Sequence, residues 1–318
     1  MKDFTMHSAY FPRGRSQRFW LRSLSNMVMV FMAVVGLVKM FSHFHPHEMQ
    51  TSDSQPIIRK VTMVYGNRTS YYRGLKTHED HSSKFGYPMT VLRKPILGGY
   101  WSKPAILLSA LVEEMEKPEE NQAKCWFDGD TILMNPNIPL DIFLPPPQFD
   151  DTHLLMTSDW NGMNNGVFFI RVNQWAIELL SATLAYPTEH PEVSLSFADQ
   201  SAMDNVILDH EYFRRSIVFY PLRWFNAYPR NADAVDLNPD RPVDSQVHHG
   251  DLLVHFPGAP PDRFDEIMDP YLKVAEAHTP EWELPLQKTG YMKEIGDFWR
   301  ERHELIFGET LESSDSLK

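Results

Sequence analysis

Two carboxylates, Asp128 and Asp130, stand one glycine apart in Cys125-Trp-Phe-Asp-Gly-Asp-Thr-Ile-Leu133. The apolar run before them suits a buried strand and stops abruptly at the first acid. A strand interior would not bury both charges without partners, so the pair belongs at the strand's mouth. Gly129 lets the backbone turn there and aim both acids at one point. Two hard oxygen ligands so spaced suit a divalent cation such as Mn²⁺ or Mg²⁺. An Asx-type turn that only opens the following segment fits the same residues. Further on, Asp251-Leu-Leu-Val-His255 reads as a strand ending in an imidazole, followed by a Pro257-Gly258 turn. Such a His is either a hydrogen-bonded structural group or a ligand, and it can be a ligand only if the fold carries it to the acidic pair.

Two other stretches could address a polar ligand. Ser158-Asp-Trp-Asn-Gly-Met-Asn-Asn-Gly166 reads as a glycine-punctuated loop able to present amides and backbone N–H groups to a sugar. A turn chosen for its positive-φ positions explains it equally well. Asp199-Gln-Ser-Ala-Met203 opens a helix, which makes Asp199 either its cap or a functional acid.

These residues need an α/β frame. Val61–Tyr65 is β-rich and ends at a Gly66-Asn67 turn. Tyr71 to Lys84 suits a helix that stops at Gly86, with Pro88 just beyond. Met89–Leu92 is the next strand, and strand–helix–strand implies a parallel pair with a right-handed crossover. Ser102-Lys-Pro104 caps a second helix with apolar positions Leu107, Leu108, Leu111, Val112 and Met115, ending before Pro118. The strand after it delivers Asp128 and Asp130, the layout of a nucleotide-type α/β half with ligands at carboxyl ends of strands. Residues 135–151, with Pro136, Pro139 and Pro145–Pro147, read as a surface excursion rather than a domain break. Leu154–Met156 is a short strand, and the loop 158–166 feeds a strand at Val167–Ile170. Asn173 caps a helix from Trp175 to about Ala185 that stops before Pro187, and the helix opened by Asp199 runs to about His210.

With 318 residues, 42% of them apolar, the chain can bury one large core or two smaller ones. A net charge of −12 and the lack of any basic patch interleaved with aromatics argue against a nucleic-acid binder. A single cysteine allows no intrachain disulfide. Lys2, Arg13, Arg15, Arg18 and Arg22 precede an uncharged, largely apolar stretch from Ser23 to Val38, closed by Lys39. With Trp20 and Leu21 before it and Lys39 snorkelling after it, this stretch can span a bilayer. The basic flank keeps the N-terminus cytoplasmic, giving a single-pass protein with a lumenal bulk, and the short span suits a thin early-secretory or Golgi membrane. A cleaved signal peptide is the alternative, although no small-x-small site follows Val38. The expected organisation is a cytoplasmic tail (1–22), a signal anchor (23–41), a stem (42–56), a catalytic domain (57–300) and a C-terminal tail (301–318).

The order of the motifs resembles a known family. Trp101-x-Lys103, Trp126-Phe-Asp-Gly-Asp130, Asn161-Gly-x-Asn-x-Gly-x-Phe-Phe-Ile-Arg171 with Gln174-Trp175, Asp199-Gln-Ser-Ala and His255-Phe-x-Gly258 are similar to the fungal α-1,2-galactosyltransferase/α-1,6-mannosyltransferase family. Its plant relatives are xyloglucan xylosyltransferases, and together they form glycosyltransferase family 34. The likeness covers roughly residues 57–265. It implies an α/β, GT-A type nucleotide-sugar-binding fold with a mostly parallel central sheet, retention of anomeric configuration, Mn²⁺ (or Mg²⁺), and a donor such as UDP-galactose or GDP-mannose with a glycan or glycoprotein acceptor. By position it implies that Asp128, Asp130 and His255 hold the metal. Asp199, Asp159 and Gln200 become candidate catalytic residues. Gly66, Lys103, Asn161, Asn164, Asn165, Gly166, Gly258 and Arg263 become candidate substrate contacts. The chain departs from the family in two places: Phe85-Gly-Tyr87 stands where relatives often have His-Gly-Tyr, and Pro257-Gly-Ala-Pro-Pro261 lacks a basic residue that Arg263 would have to replace. Asn67-Arg-Thr69 is a glycosylation sequon placed where the nucleotide should sit.

No residue is an obvious nucleophile, so the expected reaction is a front-face hexosyl transfer, with Asp199 or Asp159 steadying an oxocarbenium-like sugar. Two other classes remain at this stage: a catalytically silent sugar-binding subunit of a Golgi transferase complex, and a metal-dependent phosphohydrolase, which would need more His and Asp ligands for a two-metal site.

Overall fold

The structure, a computed structural model, describes residues 58–116, 123–230 and 245–308. The expected tail, anchor and stem lie outside the described residues. Among the described residues, no helix is long and apolar enough to cross a membrane.

The chain runs β1 (Ile58–Met63), α1 (Thr69–Phe85), β2 (Met89–Leu92), α2 (Ser102–Met115), β3 (Ala123–Phe127), β4 (Thr131–Leu133), β5 (Leu154–Asp159), β6 (Gly162–Arg171), α3 (Gln174–Glu189), α4 (Asp199–Asp209), a one-turn α5 (Glu211–Arg214), β7 (Ile217–Tyr220), β8 (Leu253–His255), α6 (Phe264–Glu276) and α7 (Tyr291–Phe307). Six strands form one sheet in the order β2-β1-β3-β6-β5-β7, and β4 and β8 form a second, two-stranded sheet. The expected parallel unit is present, because β1 pairs in parallel with both β2 and β3. The helix α1 ends as its sequence dictates, on Gly86 at φ +71.

The main sheet is nonetheless mixed. Only the β5–β7 pair adds to the parallel set, while β6 runs antiparallel to both β3 and β5. The cause is local. Residues 158–166 form a tight β-hairpin, in which Gly162 at φ +102 turns the chain, and not the loop expected there. The strand β6 buries every residue from Met163 to Ile170, so Asn164 and Asn165 sit on a strand in the centre of the sheet.

Other expectations change for physical reasons. Ser102 does not cap α2; its hydroxyl accepts from Ile96 and Leu97 N–H and holds the preceding loop instead. Met115 is exposed and Glu114 is buried, because Glu114 pairs with Arg59 at 3.2 Å. The helix α3 passes through Pro187 to Glu189, since the bond from His190 N–H to Tyr186 O closes the last turn beyond the ring. The helix α7 runs across residue 300 without a break. Residues 135–151 are no surface excursion: Ile138, Leu140, Phe143 and Phe149 are core residues. Asn135 anchors that segment by donating to Gly250 O (2.8 Å) and Leu284 O (2.9 Å).

Candidate functional site

Asp128 leaves β3 at the centre of the main sheet, and Asp130 leads directly into β4. The register of the small sheet sets Thr131 opposite His255. Two strands far apart in sequence therefore deliver the imidazole beside the second acid, with His255 Nε2 3.5 Å from Asp130 Oδ1. One ligand atom from each of Asp128, Asp130 and His255 lies within 4.8 Å of the others. Glycine is required at two contacts. A Cβ on Gly166 would lie 2.1 Å from His255 Cε1, so the glycine exists to admit the ring. A Cβ on Gly129 would meet Met63 O at 3.1 Å, which keeps the acidic turn close against β1.

The tautomer of neutral His255 follows from a backbone group. Gly166 N–H donates to Asn164 Oδ1 (2.9 Å), so that atom is an acceptor and the Asn164 amide nitrogen faces Asp159 (3.0 Å). Asn226 must then turn its own nitrogen toward Asn164 Oδ1 (2.9 Å) and Thr157 Oγ1 (2.8 Å). Its oxygen is left facing His255 Nδ1 at 2.7 Å, where it accepts a proton held by that nitrogen. Nε2 therefore points a lone pair toward the Asp130 carboxylate. A cation placed between these two acceptors, either a proton or a metal ion, would satisfy both.

Opposite this face, Lys103 is 3% exposed. Its ammonium lies 3.0 Å from Asp128 Oδ1 and 3.7 Å from Asp199 Oδ2, and it donates to Asn165 O and Oδ1 at 3.1 and 3.0 Å. Asp199 is not the cap of α4. That place falls to Ala198, held at φ +46, ψ −114, and the buried Asp199 carboxylate accepts from Asn165 Nδ2 at 2.9 Å. Gln200 Oε1 accepts the Asn165 N–H at 3.2 Å. Asp128 also accepts from Trp126 Nε1 (2.8 Å), and its N–H donates to Gly166 O (2.8 Å).

The electrostatics drive the two acids apart. Burial pushes Asp128 up, with Asp130 adding repulsion, and together they outweigh the pull of Lys103. Desolvation acts on Asp130 too, but the neighbouring His255, in its charged form, outweighs that and brings it down. Burial alone would lower Lys103, yet Asp128 and Asp199 raise it. The Lys103–Asp128 pair thus favours the ammonium more than the carboxylate, because desolvation first and then the Asp130 charge act against the carboxylate.

Asp159 is engaged at the hairpin tip: Asn161 N–H (2.6 Å), Asn164 Nδ2 and the Tyr228 hydroxyl donate to its two oxygens, so it pins that turn. Asn161 is exposed on that tip. Gly66 lies in an exposed turn at φ +88, and its carbonyl accepts from Tyr72 OH at 2.8 Å. Gly258 is an exposed turn at φ +70, and the partly exposed Arg263 pairs with Glu266 at 3.2 Å. Asn67 is exposed in the turn after β1. Asn226, Tyr228 and Thr157 escaped sequence reasoning, since nothing in Trp224-Phe-Asn-Ala-Tyr228 marks a residue that will meet His255.

The donor set fits a divalent cation. Two hard carboxylates and one imidazole lone pair converge, and each Asp128 oxygen keeps acceptor capacity beyond its present bonds. The side chains of Asp128, Asp130 and His255 are the ones that would hold it.

Comparison with known proteins fits this geometry. The galactosyl transferase GMA12/MNN10 family matches residues 146–264, the stretch that carries the hairpin, Asp199 and His255. An alpha-1,2-galactosyltransferase of Schizosaccharomyces pombe is 22% identical over 279 residues, covering 72% of this chain and 69% of the relative. A probable alpha-1,6-mannosyltransferase, MNN10 of Saccharomyces cerevisiae, is 26% identical over 161 residues, 42% of this chain and 40% of that one. A crystal structure of a glycosyltransferase involved in glycosylation of the major capsid of PBCV-1 superposes with a TM-score of 0.51 at 16% identity, covering 67% of this chain and 99% of that chain. The fold is GT-A-like, and over residues 146–264 the chain is similar to the galactosyl transferase GMA12/MNN10 family, as it is to relatives named galactosyltransferase and mannosyltransferase.

Proposed function

We propose that this chain transfers galactose or mannose from a nucleotide-sugar donor, UDP-galactose or GDP-mannose, to a glycan or glycoprotein acceptor, with Mn²⁺ and with retention. The observation that carries this is the meeting of Asp128, Asp130 and His255 within 4.8 Å at the mouth of a GT-A-like sheet. A divalent ion bound there would supply Lewis acidity toward the donor diphosphate. The protein's own groups do the rest. Lys103 adds a buried positive charge behind Asp128 and fixes the spacing between Asp128 and Asp199. Asn165 orients Asp199 through a 2.9 Å bond, and Asp199 is the acid placed to steady positive charge developing on the transferred sugar. Asp159 is committed to the hairpin and takes a supporting part only. The acceptor hydroxyl attacks from the face the leaving group departs, and no side chain is required as a covalent nucleophile.

The basic flank before Ser23 supports a Golgi membrane anchor with a lumenal catalytic domain, and membership of a transferase complex is compatible with that topology. A phosphohydrolase is disfavoured, because the described residues hold one three-residue ligand cluster and not the larger set a two-metal site needs. A silent subunit is disfavoured by the intact acids and imidazole. The deciding experiment incubates the full-length chain, purified in detergent, with UDP-galactose, GDP-mannose and UDP-xylose in turn, with Mn²⁺ and a panel of mannosides. Mn²⁺-dependent product with the donor's anomeric configuration, read by NMR, supports the proposal. Phosphate release without sugar transfer, or no turnover of any donor, overturns it.

A further inference from the structure

The hairpin tip carries an aromatic side chain that the fold does not use. Trp160 lies between Asp159 and Asn161 and is 79% exposed, although indole is among the costliest groups to leave in water. Its ring is not loose. It meets Tyr228 edge-to-face at 5.4 Å, and Tyr228 meets His255 at 6.1 Å. The Tyr228 hydroxyl is tied to Asp159, so the platform beneath Trp160 belongs to the network that orients His255. Two ring-to-ring contacts, through Tyr228, therefore link the indole to the metal-ligand cluster.

A second observation lies on the other wall. A Cβ on Gly162 would stand 3.8 Å from Asp204 Oδ2, so α4 brings this carboxylate up to the hairpin turn. Asp204 is half-buried and has no hydrogen bond or ion pair among the described residues. Burial raises its pKa with no charged neighbour contributing. A partly desolvated acid without a donor is an acceptor waiting for hydroxyls.

We infer that Trp160 and Asp204 form the acceptor subsite: the indole stacks on the apolar C–H face of an acceptor pyranose and Asp204 accepts from its hydroxyls. This rests on the hexosyltransferase reading above. A flat indole beside a carboxylate matches a pyranose, which has one apolar face and a rim of hydroxyl donors. A nucleotide base would stack on an indole as well, but the diphosphate it carries has no place beside Asp204.

The test uses the full-length chain in detergent, both donors with Mn²⁺, and methyl α-D-mannopyranoside or an α-1,6-linked mannotriose as acceptor probe. Initial rates are measured for wild type, Trp160→Ala, Trp160→Phe and Asp204→Asn, with melting temperatures as a folding control. Trp160→Ala should raise the acceptor KM about tenfold, the loss of one stacked aromatic contact, and leave the donor KM where it was. Trp160→Phe should recover most of that, and Asp204→Asn should raise the acceptor KM several-fold. Saturation-transfer NMR should show the mannoside ring C–H signals in wild type and their loss in Trp160→Ala. An unchanged acceptor KM in both Trp160→Ala and Asp204→Asn, or a shift confined to the donor KM, overturns the subsite. A wild type that turns over neither donor overturns the functional reading itself, an outcome distinct from the first because no variant is then compared.

Discussion

Two polar clusters flank the same turn, and each holds a buried lysine and a buried histidine. Behind the sheet, Lys60 donates to His78 O (3.1 Å) and to His81 Nδ1 (2.8 Å). His81 must then carry its proton on Nε2, which donates to Ile138 O at 2.8 Å. The Thr131 hydroxyl spends its hydrogen on Asp128 O, so His78 Nε2 is the donor in the 3.0 Å contact to Thr131 Oγ1, and its ring stacks on Phe127 at 3.7 Å. The donors named there each meet an acceptor within the protein. In front of the sheet, Lys103, Asp128, Asp130 and His255 leave acceptor facing acceptor. The first cluster is closed and the second is open toward one point. A buried lysine beside an imidazole does not mark a site; convergent lone pairs without a shared hydrogen do.

The comparison breaks most sharply at Asp130. Asp130→Asn removes a convergent acceptor while keeping its shape and relieving repulsion with Asp128. Transfer should fall by about a thousandfold or more, the scale for losing a group that acts on developing charge. The melting temperature of the metal-free protein should hold or rise. Asp128→Ala should behave differently, losing activity and also stability, because Lys103 and the Trp126 indole N–H lose their partner. Initial rates and calorimetry on both variants check this, and equal melting temperatures would show that the Lys103 pair contributes nothing to the fold.

The closed cluster should show the reverse pattern. His81→Ala strips one acceptor from a buried ammonium and the donor from Ile138 O. A loss of about 3 kcal/mol of stability is expected. The Mn²⁺ concentration for half-maximal rate should stay within a factor of two. Denaturant melts and a metal titration separate the outcomes, and a shifted metal requirement would mean the two clusters are not independent.

Much of the frame was legible. The β1–α1–β2 unit, the strand ending at Asp128, the Asn173 cap and the strand ending at His255 all follow from period, caps and turn residues, which are local signals. The likelihood that Asp130 and His255 meet was visible only through resemblance, because their encounter depends on β4 pairing with β8 across more than a hundred residues. The hairpin at 158–166 reads as a loop in sequence because its glycines and amides look like turn chemistry, while the burial of Asn164 and Asn165 on β6 is a tertiary fact. The prolines of 135–151 misled in the same way: they bend a segment whose apolar residues still reach the core. Asn226 left no trace in sequence, since one amide's meaning lies wholly in which atoms face it.

That amide carries a sharper test of the open cluster. Asn226→Leu removes the acceptor that keeps the proton on His255 Nδ1, so the imidazole loses its preference for offering Nε2. Mn²⁺ affinity, measured by calorimetric titration without any donor, should weaken about 10- to 100-fold. Nitrogen chemical shifts of His255 should report a mixed tautomer population where wild type shows one. Unaltered shifts with weakened affinity would point instead to a displaced β8.

The smallest effect is a slope, and it belongs to the closed cluster. Burial, with Lys60 adding repulsion, pushes His81 down to about 3 and holds His78 well below its ordinary value. In the unfolded chain a histidine takes its proton near pH 6.5. Between that pH and about 3 the unfolded state therefore binds a proton that folded His81 refuses, and stability falls as pH falls. The contribution is fully present above pH 6.5 and is lost at up to about 1.4 kcal/mol per pH unit below it. Asp251 acts with the opposite sign in part of this range, because burial pushes it up to about 7 against the pull of Arg223, so the folded state holds a proton the unfolded state has released. Carboxylates held down by partners, such as Asp269 beside Arg73, add their own loss only at lower pH. A difference between variants isolates the histidine. His81→Gln keeps an acceptor for Lys60 and a donor for Ile138 but cannot titrate. Its stability between pH 6.5 and 5, from denaturant melts, should depend on pH less steeply than wild type by close to one proton. Parallel slopes would mean that folded His81 takes up its proton as readily as the unfolded chain does, and that the closed cluster is not closed.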